Sequence, residues 1–260
     1  MTRILAVANQ KGGVGKTTTT VNLASALAEH GREVLVLDLD PQGNASTALG
    51  LEHHSGVLST YEVLTQDVPL ADIVVQATEG GGHLWAAPAT IDLAGAEIEL
   101  VPQFAREGRL KRAIESVIDD FDFVLIDCPP SLGLLTVNAL VAAREVLVPI
   151  QCEYYALEGL GQLLRNVDLV KRNLNPELEV STILLVMFDA RTQLSSDVES
   201  EVREHFGDKV LPTRIPRNVK LSEAPSHHQP INVYDPSSKG AIAYRLAAKE
   251  VAGGATPRSR

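Results

Sequence analysis

Arg3-Ile-Leu-Ala-Val-Ala-Asn-Gln-Lys-Gly-Gly-Val-Gly-Lys-Thr-Thr-Thr-Thr20 decides how the rest of the chain is read. The apolar run from Ile4 to Ala8 fits a strand buried on both faces. Lys11-Gly12-Gly13-Val14-Gly15-Lys16-Thr17 then turns the chain, and Val21 to Ala28 continues with helical spacing. Strand, glycine-rich turn and helix together form a cradle for phosphate. The glycines let successive backbone N–H groups face an anion with no Cβ in the way. Lys16 then places a positive charge on the β and γ phosphates. Thr17 gives its hydroxyl to Mg²⁺, a cation that keeps most of its waters and takes few protein ligands.

The common form of this loop is G-x-x-x-x-G-K-S/T, and the present one departs from it. Counting back from Gly15, the first glycine would fall where Gln10 stands, and a second lysine, Lys11, follows it. This K-G-G-V-G-K-T form is the deviant Walker A loop. The stretch resembles the ParA/MinD family of ATPases, and the ParA/Soj chromosome-partition branch most of all. The resemblance implies that Lys11, Gly12, Gly13, Val14, Gly15, Lys16, Thr17 and Thr18 hold ATP, with Mg²⁺ beside them.

At 260 residues the chain is long enough for one large α/β core. Its hydrophobic and charged contents, 45% and 22%, are those of an ordinary globular protein. No apolar run approaches the ~20 residues that span a bilayer. The N-terminus runs straight into the first strand, so neither a signal peptide nor a preceding DNA-binding extension is expected. Cys128 and Cys152 lie at apolar or strand-end positions and suggest no disulfide framework. The expected location is cytoplasmic and nucleoid-associated, with no membrane partner. A formal charge of −10 argues against a chain that coats nucleic acid everywhere. It leaves room for a local basic patch, because phosphate attraction decays over ~8 Å at physiological salt.

Further strands are expected at Glu33–Leu39, Leu84–Ala87, Phe123–Asp127, Glu145–Pro149, Val180–Met187 and Val210-Leu211. Short helical stretches are expected near Thr60–Leu64 and Leu70–Val75, with Pro41–Asn44 a loop and Gly80-Gly81-Gly82 an exposed turn. Longer helices are read at Asp92–Leu100, Arg106–Asp119, Leu134–Ala143, Gly159–Leu174, Ser195–Phe206 and Gly240–Val251. Apolar strands alternating with helices describe a doubly wound parallel sheet covered on both faces, an α/β P-loop NTPase fold. One ATPase domain over 1–252 and a flexible tail at 253–260 are expected.

In an open α/β sheet, ligands sit beyond the carboxyl ends of the strands. Asp127 ends an apolar strand in Asp127-Cys128-Pro129-Pro130-Ser131, the position of a Walker B carboxylate that orders the Mg²⁺ shell with Thr17. In Asp38-Leu39-Asp40-Pro41-Gln42-Gly43-Asn44, the resemblance to D-x-D-P-Q-x-N assigns Asp40 to the attacking water, beside the catalytic cations Lys11 and Lys16. Asp38 then orients the loop or contacts metal-bound water. In the proteins it resembles, two subunits sandwich two ATP molecules, and Lys11 would reach across to the facing subunit's γ-phosphate. ATP thus holds an ATP-dependent homodimer together until hydrolysis removes that contact.

Ile215-Pro216-Arg217-Asn218-Val219-Lys220-Leu221-Ser222-Glu223-Ala224-Pro225 resembles the P-R-N-V-R/K-x-x-E-A-P segment of Soj-like ATPases. The resemblance lays Pro216 and Asn218 against adenine, where one amide offers both donor and acceptor. From Lys209 to Lys220 the cations Lys209, Arg214, Arg217 and Lys220 occur with no acid among them. Arg191 and Lys220 match DNA-contacting positions of the family, and Arg217 lies in the same basic run. The implied function is an ATP-driven DNA-partition switch. Its dimer binds DNA without sequence preference, and a ParB/Spo0J-type partner stimulates hydrolysis.

Three other readings compete. A MinD-type membrane regulator needs an amphipathic C-terminal helix, which Ala252-Gly-Gly-Ala-Thr-Pro-Arg-Ser-Arg260 cannot make. An electron-transfer protein like the nitrogenase iron protein would share a cluster between subunits, but neither cysteine lies in a segment matching those ligands. An orphan relative that positions another cargo is the reading the sequence separates least.

Overall fold

The apolar runs become one sheet ordered β3-β4-β2-β5-β1-β6-β7-β8. Its strands are β1 Arg3–Val7, β2 Val34–Asp38, β3 Val75–Gln76, β4 Leu84–Ala87, β5 Phe123–Asp127, β6 Glu145–Gln151, β7 Glu179–Phe188 and β8 Val210–Pro216. The structure is a computed structural model that describes residues 1–77, 82–153 and 158–253. Two glycines of the expected 80–82 turn, and the tail beyond Gly253, lie outside the described residues. Every pairing is parallel except β3 with β4. Parallel strands need helical crossovers, and those crossovers cover both faces.

Because side chains alternate along a strand, each central strand feeds two apolar layers. Ile4, Ala6, Leu35, Leu37, Val124 and Ile126 face one way, against helices Arg109–Glu115, Leu134–Ala142, Glu158–Asn173 and Gln193–Phe206. Leu5, Val7, Val34, Val36, Phe123 and Leu125 face the other way, against helices Lys16–Glu29 and Lys239–Ala252. Leu5, Leu23 and Leu27 are fully buried, each contributing about 1.5–3 kcal/mol relative to exposure. Tyr244 is also buried, and its hydroxyl lies 3.2 Å from Thr19 Oγ1. That contact ties the last helix to the one that follows the phosphate loop.

Tertiary contacts override local pattern in several places. Arg106–Asp119, expected as one helix, divides into a 3₁₀ turn at Arg106–Gly108, a helix at Arg109–Glu115 and a 3₁₀ turn at Ile118–Asp120. Thr2 Oγ1 donates to Ile118 O and Phe121 O, so those carbonyls serve another segment. The stretch expected to be helical through Val75 is helical only as a 3₁₀ turn at Leu70–Asp72; Val75 and Gln76 instead pair antiparallel with Ala86 and Trp85. The strand expected at Val210-Leu211 runs on to Pro216 through Pro212, because an edge strand tolerates a missing N–H. Arg203 donates to the carbonyls of Val210, Leu211 and Pro212. The loop after β2 enters a short helix, Asn44–Ala48, at Gly43, whose φ is 62°.

One buried amide closes a helix end. Asn175 Nδ2 lies within 3.0, 3.2 and 2.6 Å of the carbonyls of Leu140, Val141 and Ala143, where helix Leu134–Ala142 ends. Asn175→Ala leaves those buried carbonyls without their donor. It should cost about 1–3 kcal/mol in urea unfolding, and an unchanged midpoint would contradict this capping role.

Candidate active site

The parallel register brings the strand ends together at one rim. Asp38 of β2 stands opposite Asp127 of β5, and Val7 of β1 pairs with Asp127 from the other side. From Val7 the chain enters the lysine- and glycine-rich loop. Gly13 and Gly15 have φ of 74° and 79°, a region closed to most side chains. Val14 is buried and anchors the loop, and Gly15 opens helix Lys16–Glu29. A Cβ built on Gly12 or Gly13 meets nothing within 4 Å, so this side of the loop is open to a ligand.

Lys16 lies at the base of the loop, and its Nζ donates to Lys11 O at 3.2 Å. Burial lowers its pKa, with Asp127 the foremost of the charges pulling the other way. Thr17 Oγ1 donates to Asp127 Oδ2 at 2.7 Å, and Thr20 Oγ1 donates to Asp127 Oδ1 at 3.0 Å. Asp127 is fully buried behind Thr17. Burial, and then the Asp38 carboxylate, push its pKa up. Burial also raises the pKa of Asp38. Asp38 accepts from Ser46 N at 2.8 Å, Ser46 Oγ at 2.7 Å and Asp40 N at 3.1 Å. Asp38 therefore shapes the loop that carries Asp40. Asp40 itself lies on the wall of the cleft, its Oδ1 accepting from Gln42 N at 3.0 Å.

These groups border a cavity of about 530 Å³, walled by Gly13, Lys16, Thr17, Asp40, Asn44 and Pro225 among others. A smaller cavity of about 140 Å³ shares Gly15, Thr18 and Met187 with it and is closed by Pro216, Asn218 and Tyr244. The structure thus places Pro216 and Asn218 beside the loop, although 200 residues separate Pro216 from Lys16 in sequence. Asn218 Oδ1 already accepts from Lys220 N at 2.9 Å, so its amide nitrogen is the group with no bond yet made among the described residues. Lys11 has its backbone N–H fixed by Asn9 Oδ1 at 3.1 Å. Its ammonium has no acidic partner among the described residues.

The basic residues are exposed, yet each has an acid beside it. Arg191 makes two bonds to Asp189, at 2.9 and 2.7 Å. Arg217 meets Glu153 at 3.3 Å, and Lys220 meets Glu223 at 2.8 Å over the face of Tyr234. Arg214 pairs with Glu199. Within the run that carries no acid in sequence, Arg214 and Arg217 are paired from elsewhere in the fold, and Lys220 from three residues further along the chain. Sequence reasoning also missed Ser46, the partner of Asp38, and Met187, whose φ is 52° inside the smaller cavity's wall. No local pattern marks either residue; Ser46 reaches Asp38 across eight residues of chain, and Met187 shares its wall with segments far off in sequence.

A family described as AAA domain matches residues 2–180. Sporulation initiation inhibitor protein Soj of Bacillus subtilis (strain 168) is 56% identical over 252 residues, covering 97% of this chain and 99% of its own. Chromosome partitioning protein ParA of Myxococcus xanthus (strain DK1622) is 50% identical over 257 residues, covering 99% and 90%. Among solved structures, cobyrinic acid a,c-diamide synthase from Mycobacterium smegmatis, with bound ATP analog and magnesium, matches with a TM-score of 0.86. It is 43% identical, with 99% of this chain and 97% of that chain covered.

The buried carboxylates set a pH dependence. A carboxyl whose folded pKa is raised favours the fold at low pH, and that stabilisation is lost as pH climbs through the raised value. Without metal, Asp127→Asn should therefore gain thermal stability over the unsubstituted protein as pH rises from about 5 to about 8. A difference that stays constant with pH would contradict it.

Proposed function

The chain belongs to the AAA domain family and, within it, to the Soj/ParA chromosome-partitioning ATPases, and from that premise we propose that ATP joins two copies of it into a dimer that binds DNA. It is an ATPase, with ATP as substrate and Mg²⁺ as cofactor. The residues present fit both. An open backbone loop with a buried lysine suits the phosphates, and a threonine hydroxyl backed by a carboxylate suits a hydrated divalent ion. Mg²⁺, when bound, neutralises charge on the phosphate oxygens.

The chain's own residues take the following parts. Backbone N–H groups of Lys11 to Thr18, together with Lys16, hold the β and γ phosphates. Thr17, backed by Asp127, holds the metal. Asp40 orients the attacking water, and Asp38 keeps the Asp40 loop in place through Ser46 and the Asp40 N–H. Pro216 and Asn218 take the adenine. Phosphoryl transfer asks mainly for such positioning and for charge stabilisation. The observation that carries the dimer reading is the Lys11 ammonium, a cation in the phosphate loop with no acidic partner among the described residues. It suits a γ-phosphate presented by a facing copy, and hydrolysis would remove that contact.

Arg191, Arg217 and Lys220 form the DNA-contacting surface in this reading, and a ParB/Spo0J-type protein stimulates hydrolysis. Each cation would exchange its own carboxylate for a DNA phosphate. Exposed ion pairs of this kind hold weakly in high dielectric and are screened by salt, so the exchange costs little. Residues 1–252 act as one ATPase domain followed by a tail at 253–260, in the cytoplasm on the nucleoid. The amide chemistry named for the Mycobacterium smegmatis neighbour finds less support. A thiolate that attacked an amide donor's carbonyl carbon, keeping the acyl group and releasing the nitrogen as ammonia, would need an accessible cysteine. Cys128 and Cys152 are both buried, and burial pushes both thiols up.

Light scattering with ATP, ADP and no nucleotide tests the dimer directly. The mass should double with ATP alone. Lys11→Ala should remain a monomer with ATP bound, Lys16→Ala should lose ATP binding, and Asp40→Ala should accumulate as the dimer. One mass under all nucleotides would sink the reading.

DNA retention is a separate test. Arg191→Glu or Lys220→Glu should keep ATP binding and lose DNA, and neutralising either residue, present twice in the dimer, should lower the salt slope of binding by about two. Unchanged DNA retention at low salt would remove these residues from the surface.

A further inference from the structure

Two walls of the larger cavity come from distant parts of the chain. Asp40, Asn44 and Thr47 belong to one, and Ser222, Pro225 and Gln229 to the other. A hydrogen bond between His228 Nδ1 and Thr47 O, 2.9 Å long, joins the two walls across 181 residues of sequence. The acceptor is a carbonyl, so Nδ1 carries the hydrogen. Thr47 is itself held on the Asp40 side. Its hydroxyl donates to Gly43 O at 3.0 Å and lies 2.9 Å from His53 Nε2. Gly43 N donates in turn to Asp40 O at 2.9 Å. A continuous set of bonds therefore leads from His228 to the turn that presents Asp40.

His228 also occupies unusual backbone. Its φ is 57°, and among the described residues only Asp67, Ala105 and Met187 share the left-handed region without being glycine. Such a conformation costs a side-chain-bearing residue free energy and persists where neighbouring contacts impose it. Two of the four, His228 and Met187, lie in or directly beside this cavity's wall.

We propose that His228 is a positioning residue for ATP hydrolysis: it clasps the C-terminal wall of the cavity to the loop that carries Asp40, and so keeps that carboxylate aligned. The inference rests on Asp40 acting on the attacking water. Filling the C-terminal side of the cavity would steady the Asp40 side through this clasp, so its effect falls on turnover more than on nucleotide affinity.

Three substitutions separate the bond from the backbone. His228→Gly suits the left-handed φ but removes the imidazole. His228→Asn tolerates the same φ and puts an amide nitrogen where Nδ1 lies, whereas His228→Gln carries its amide one bond further out. In steady-state ATPase assays of the full chain with ATP and Mg²⁺, H228G should lower kcat by about threefold to tenfold, the worth of one hydrogen bond. Its KM should stay within about twofold, and its thermal midpoint should not fall, because glycine relieves the backbone. H228N should restore kcat, and H228Q should not. Wild-type kcat in H228G, a change in KM alone, or H228N as slow as H228G would each overturn the clasp. Asp40→Ala in the same assay tells the two failures apart. If D40A abolishes turnover while H228G runs at the wild-type rate, the clasp alone is wrong. If D40A still turns over, the assignment of Asp40 is wrong and the clasp falls with it.

Discussion

Two carboxylates buried side by side, Asp38 and Asp127, are the constraint on which the rest of this structure turns. Parallel pairing of β2 with β5 sets them opposite each other at the strand ends, out of water. Two like charges there are costly unless each is hydrogen-bonded or protonated. The protein meets the demand with hydroxyl and amide donors. Thr17 and Thr20 serve Asp127, while Ser46 and the Asp40 N–H serve Asp38. Each set of bonds also anchors a functional segment: the helix behind the phosphate loop in one case, the Asp40 loop in the other. The same electrostatic demand that makes the site unfavourable when empty makes it receptive to a divalent cation.

Around that pair the charges are sorted by burial. Lys16 is buried and rests on a backbone carbonyl, so its charge is directed into the cleft. Lys11 lies outside it with no acidic partner among the described residues. Arg191, Arg217 and Lys220 stand further out, each against a carboxylate in high dielectric, where an ion pair holds weakly. These pairs sit on the surface of a chain whose formal charge is −10.

Other positions depend on long-range closure. The terminal helix, held through Tyr244 and Thr19, and the segment around His228 both come from the last part of the chain and complete a cleft begun by its first twenty residues. Cleft walls from opposite ends of the sequence can be aligned only by the folded sheet between them.

The sequence by itself determined the sheet and its phosphate loop. Both rest on local chemistry: apolar runs too continuous for a one-sided strand, and glycines placed where φ must be positive. Phe123–Asp127 and Leu84–Ala87 were legible to the residue for that reason, and so was the convergence of Lys16, Thr17, Asp40 and Asp127 at one rim. Tertiary structure decided the rest. It split the helix expected over Arg106–Asp119, where Thr2 takes the Ile118 carbonyl, and it turned Val75 into an antiparallel edge. It supplied Glu199 to Arg214 and Glu153 to Arg217, so two cations that read as unpaired are paired in space. It also gave Asp38 its Ser46 partner and His228 its reach to Thr47. Propensity and period act over a few residues, whereas hydrogen bonds and ion pairs depend on which distant segments the sheet brings within about 3 Å, and a linear reading has no measure of that distance.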